Sequence, residues 1–276
     1  YQSSTDGSAT YEVGADVEAM LEVSALMTVV SNLVHNEIGF APNEASRNMD
    51  QQVSDDYGET EMFGLFCIHV TTAPSQLLAP NVMRSYMQLL SELVQYRTPS
   101  LIRWLPIESW KALLNMLIEG IDHDVYDVGN RTYETISKLG AFIKLADLSA
   151  VPMELQLLLR EGITRMLGKL LKALLFSPFD SDLVESAGTA LVTLSLIEPA
   201  HLQLCFNELL AQGDSAAFAE RLSATFAKFN DDLSDSEAIR DFQSSTAPIP
   251  NPIDGTLLRQ PLFEFLVNTR AVLRVK

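Results

Sequence analysis

The stretch LVESAGTALVTL, residues 183–194, decides how the chain is read. At helical spacing Leu183, Ala187, Leu191 and Leu194 fall at i, i+4, i+8 and i+11, one stripe down a helix. The same offsets recur at Val128, Thr132, Ile136 and Leu139, and again at Phe218, Leu222, Phe226 and Phe229. An Asp stands three or four residues before each stripe: Asp124, Asp180 and Asp214. A carboxylate there can cap a helix N-terminus and complement its dipole. The three stripes are unevenly spaced, so they do not define a repeat by themselves.

The helices in front of them do. First members of four helix pairs start near Glu61, Pro106, Pro152 and Pro199, a unit of about 46 residues. Second members start near Pro80, Asp124, Asp180 and Asp214. Three of the first members open at or next to Pro, whose missing N–H costs nothing in the first turn. The third first member, residues 152–176, carries a stripe of Leu155, Leu159, Ile163, Met166, Leu170 and Leu174. Leu158, Leu167, Leu171 and Leu175 widen it, and only Glu161, Arg165, Lys169 and Lys172 remain as a narrow polar side. One helix pair cannot cover two apolar faces, so neighbours must stack.

No strand-like alternation is present. The pattern predicts an all-α, HEAT-repeat-like superhelix, or solenoid, of about five helix pairs with the second helices on the concave side. Residues 1–13 read as loose. A further helix is expected over 16–36, with Val17, Met20, Leu21, Ser24, Met27 and Leu33 tracing its apolar side. Residues 41–60 read as an acidic loop and 230–256 as a polar linker with at most one short helix. A terminal helix over 257–276 is expected to cap the stack.

The 276 residues are 47% hydrophobic and 20% charged, a composition that folds. The formal net charge is −17. Residues 1–62 hold twelve of the 36 acids and one base, Arg47, so the acidity is concentrated at that end. Such a chain repels phosphate backbones and favours basic partners or none, not nucleic acid or anionic membrane surfaces. No run approaches the ~18 apolar residues of a membrane span, so no membrane insertion is expected. Residue 1 is Tyr, no signal peptide is read, and the chain is expected to be part of a longer one. Cys67 and Cys205 lie in apolar helical stretches and read as buried reduced thiols. The sequon Asn130-Arg131-Thr132 falls inside a helix and reads as chance.

Nothing in the sequence forms a catalytic constellation. His35, His69, His123 and His201 show no metal-ligand spacing and no recognisable pairing with a Cys. There is no phosphate loop or nucleophile elbow. No enzyme activity and no cofactor are expected. The candidate binding residues are acids at second-helix starts, Asp124, Asp127, Asp180, Asp182 and Glu185, which would form a negative strip on the concave side. The acidic loop adds Asp50, Asp55, Asp56 and Glu59, in reach of the groove. The basic cluster Arg160, Arg165, Lys169 and Lys172 reads as a solvated face of a first helix.

ESAGTALVTLSLIEPAHLQLCFNELL (185–210), followed by AERLSATFAKFN and the terminal FEFLVNTRAVLRVK, resembles the C-terminal end of the exportins. These are nuclear export receptors of the importin-β (karyopherin) superfamily. WKALLNMLIEGIDHDV (110–125) fits the repeat before it, and the end Leu273-Arg274-Val275-Lys276 is similar to the family tail. The likeness covers residues 61–276 and is a pattern of apolar positions, so no family residue is carried over by motif. It implies a shuttling receptor, found in nucleus and cytoplasm, that binds cargo together with Ran-GTP and meets nucleoporins in the pore. The chain would be the C-terminal HEAT-repeat region, after the N-terminal repeats that carry the main Ran contact in the family. The other reading of the same pattern is a helical-repeat scaffold subunit of a multiprotein assembly without Ran linkage.

Overall fold

The computed structural model describes residues 7–39, 80–145, 151–176, 181–211, 216–244 and 253–274. Within these the chain is all α, without a strand. The helices are α1 (Gly7–Gly39), α2 (Pro80–Trp104), α3 (Ile107–Gly120), α4 (Tyr126–Leu145) and α5 (Met153–Phe176). They continue with α6 (Val184–Ile197), α7 (Pro199–Ala211), α8 (Ala216–Ser234), α9 (Glu237–Ser244) and α10 (Gly255–Arg274). A 3-10 turn, Ser181–Leu183, leads into α6.

Proline sets the helix starts as expected. The carbonyls of Pro106 and Pro152 accept from Trp110 N and Gln156 N at 3.1 and 3.0 Å, so each stands just before its helix. Pro199 opens α7, and the Glu198 carbonyl in front of it accepts from Leu202 N at 3.2 Å. The helix expected from Glu61, the loop 41–60 and Cys67 lie outside the described residues.

The chain divides into two compact units, residues 1–112 and 113–276, with the boundary inside α3. In the first unit α1 packs on α2. The helix begins at Gly7, so part of the stretch read as loose is helical. No Pro lies between residues 7 and 39, and the glycines alone do not stop a helix. The side of α1 turned inward is Met27, Val30, Ser31 and Val34. Leu21 and Leu33, expected on that side, are exposed together with Leu26 and Val29. Apolar residues lie all round α1, so periodicity could not set its phase. Ser24 Oγ lies 2.7 Å from Ser85 Oγ, which registers the two helices. α2 kinks at Arg97 (φ −132°, ψ 21°) because Pro99 has no N–H for the carbonyl four residues back and its ring crowds that turn.

In the second unit the expected stripes are buried. Val128, Ile136 and Leu139 of α4 are in the core, as are Phe218, Leu222, Phe226 and Phe229 of α8. All six stripe residues of α5 are buried, and Glu161, Arg165 and Lys172 are exposed. α4 packs on α6, and α5 packs on α7. α3 meets α5 at Gly162, where an added Cβ would stand 2.9 Å from Leu114 Cδ1.

Two expectations fail here. The stripe of α6 is no stripe, because every residue from Ala187 to Ser195 is buried. Leu183 is only half-buried and caps the helix without a side-chain bond. The cause is α10. It packs on both α6 and α8 with one side buried and the other in water. Gly188 permits this, since a Cβ there would overlap Leu262 Cδ2. Phe229 and Phe265 stack at 4.3 Å and Phe206 and Phe226 at 3.9 Å, joining α7, α8 and α10. The Arg270 guanidinium donates to the Leu174 carbonyl at 2.8 Å, satisfying the end of α5.

The linker is also shorter than expected. α8 continues to Ser234 with Leu233 buried, and α9 buries Ala238, Ile239 and Phe242. Exposed acids between these positions made an amphipathic run read as polar.

Candidate functional site

Of the acids expected at second-helix starts, Asp182 and Glu185 line one cavity. A cavity of about 390 Å³ opens where α4, the start of α6 and the start of α10 meet. Asp182 reaches it from the 3-10 turn and Glu185 from the first turn of α6. Glu134 and Lys138 come from α4, and Ile253 and Gly255 from the entry to α10. Three carboxylates thus face one cation.

Local bonds hold the wall in shape. Glu134 accepts from Asn130 Nδ2 at 2.9 Å and from Arg131 at 2.7 Å, which fixes its two oxygens along α4. Thr189 Oγ1 donates to the Glu185 carbonyl at 2.9 Å. A Cβ on Gly255 would overlap that hydroxyl and stand 3.2 Å from Glu185 Cγ, so only Gly lets α10 start this close. Asp254, beside the cavity, accepts from both the N–H and the hydroxyl of Thr256, which holds its carboxyl below the usual range. The acids at the α6 start also complement the helix dipole, so the two roles coincide.

Asp124 and Asp127 are exposed at the start of α4, outside this cavity. The hydrogen bond from Val125 N to His123 Nδ1, 3.1 Å, shapes the turn that carries them. Asp180, Asp50, Asp55, Asp56 and Glu59 lie outside the described residues. Glu134 was missed: it sits mid-helix, and nothing in its spacing points to the start of a different helix.

Carboxylates only accept, so the groups that complement this wall are donors such as ammonium or guanidinium, and Arg131 already fills that role for Glu134. Among the described residues no group of three or more His, Cys, Asp or Glu is placed to hold a metal ion. No single described helix is long and apolar enough to cross a membrane.

Two further expectations are corrected. Cys205 is half-buried at the surface of α7, not in the core. It also has a histidine partner, His201 Nε2, at 3.5 Å, through i, i+4 spacing within α7, where no His–Cys pairing was expected. Burial, and after it Glu208, pushes this thiol up from its usual pKa, with Lys172 acting the other way. No family model, no curated protein and no solved structure matches the chain.

Proposed function

We propose that the chain is the C-terminal HEAT-repeat region of a nuclear export receptor of the exportin-four type. It acts as a binding scaffold, not an enzyme, shuttles between nucleus and cytoplasm, and works with Ran-GTP, basic cargo proteins and nucleoporins through the complete receptor. The observation that carries the reading is the alternate packing of helices, α3 with α5 and α5 with α7, and α4 with α6. That order is what a two-helix repeat requires. The acidic cavity at the start of α6 supports the choice of a basic cargo surface. The packing of α10 against α5 and α6 is a departure from a regular two-helix order.

The test is capture of a lysine-rich cargo by the complete receptor with GTP-locked Ran, measured across ionic strength. The variant Asp180→Lys/Asp182→Lys/Glu185→Lys is expected to weaken capture at low salt and to leave the thermal transition nearly in place. Each exposed pair is expected to contribute about 0.2–1 kcal/mol. Capture equal to wild type at low salt would leave these acids as dipole partners of α6 only. Cargo binding indifferent to Ran-GTP would favour the scaffold reading.

A further inference from the structure

Along α5, between α3 and α7, runs an open groove of about 750 Å³. Its floor is apolar, built from Ile118, Leu171, Leu175 and Leu209, and Phe176 stands 55% exposed at its end. Arg165, Lys169 and Lys172, three of the four cations read as a solvated face, line it. The fourth, Arg160, is elsewhere, paired with Glu198 at 2.7 Å. The groove's acids are Asp122 and Glu208. Three cations over two acids is the reverse of the chain's balance of −17.

The cations are set for an incoming acid. Arg165 donates to the neutral Asn115 side chain at 3.1 Å, which orients the guanidinium without neutralising it. Lys169 is held by Asp122 at 2.9 Å. Lys172 is exposed and forms no ion pair with a described residue. A purely charged ligand would leave the apolar floor wet, and a purely apolar one would leave the cations unanswered. The volume lies in the ~300–1,000 Å³ range of ligand sites.

We propose that this groove docks an acidic amphipathic segment of a partner protein. Bulky apolar side chains at i, i+3, i+4 and i+7 cover Leu171, Leu175 and Phe176. Flanking carboxylates meet Arg165 and Lys172, with Lys169 held by Asp122 beside them. The acidic remainder of the chain repels such a segment, so the charge pattern steers it to this one face. The site uses first helices and opposite charge, and stands independently of the cargo reading.

The probes are the fluorescein-labelled peptide DELEDFLDEL and its charge-reversed counterpart KKLKKFLKKL, titrated by anisotropy against the complete 276-residue chain. The acidic peptide is expected to saturate and the basic one not to compete with it. Arg165→Glu/Lys172→Glu and, separately, Phe176→Ala change exposed residues and are expected to weaken binding about tenfold. Bound peptide is also expected to slow alkylation of Cys205, read by peptide mapping, in wild type but not in the double variant. The proposal is overturned by a titration that does not saturate, by equal competition from the basic peptide, or by affinity and Cys205 protection unchanged in both variants. It is also overturned if deleting residues 41–60 raises affinity tenfold or more, since the chain's own acidic loop would then be the occupant.

Discussion

The groove along α5 and the cavity at the start of α6 use the same residue types in opposite proportion. The groove has three cations to two acids over an apolar floor. The cavity has three acids to one cation beside a seam of small residues. Net charge therefore describes neither site. What separates them is how close the helices come. In the groove α5 carries Lys and Phe side chains and leaves open space. At the seam, glycines at 188 and 255 bring α10 against α6 and leave only a narrow opening for charge.

The contrast breaks most easily at the seam. Leu262 is 1% exposed and lies on Gly188. Leu262→Ala should cost about 2–5 kcal/mol, a fall in urea midpoint at unchanged slope. A loss under about 1 kcal/mol would mean that α10 does not close the cavity wall. Next comes a pair of opposite sign. Gly188→Ala forces a methyl into Leu262 and should destabilise by about 1–3 kcal/mol. Gly168→Ala, in the groove, meets Cys205 Sγ and His201 Nε2 at an ordinary 3.8 Å. It should raise the melting temperature through a gain of about 0.5–1 kcal/mol. Shifts of the same sign would erase the distinction between closed seam and open groove.

A smaller effect than at the seam comes from the Tyr133 hydroxyl, which donates to the Ile121 carbonyl at 2.7 Å. Tyr133→Phe should cost about 0.5–1.5 kcal/mol. Burial, and then Asp122, push the Tyr133 phenol up to about 12 from 10.0. A raised folded value means that its contribution is complete below pH 10 and is lost as pH climbs towards 12. Unfolding followed across that window should therefore show wild type and Tyr133→Phe converging. Parallel curves would place the phenol in contact with solvent.

Helix periodicity read α4, α5 and α8 correctly because each has one buried side, and Pro106, Pro152 and Pro199 marked three starts. It misread α1, whose apolar residues surround the helix, and α6, which is buried all round. Periodicity names a face only where water lies opposite it. The cavity was half legible. Asp182 and Glu185 announce themselves at a helix start, whereas Glu134 joins them only through packing between helices about fifty residues apart. The position of α10 left no local trace at all, because its partners α5 and α6 are far back in the chain.

That placement bears on how the protein is made. A stack whose units touch only neighbours can fold as it leaves the ribosome. Here Arg270 reaches back across 96 residues to Leu174, and α6 is buried partly by a helix that follows α7, α8 and α9. At ordinary rates of synthesis, the chain from α6 to the end of α10 takes roughly 4–16 s to appear. For that interval one side of Ala187–Ser195 has no covering helix of its own. Until α10 arrives, that side of α6 is apolar surface open to water in the nascent chain.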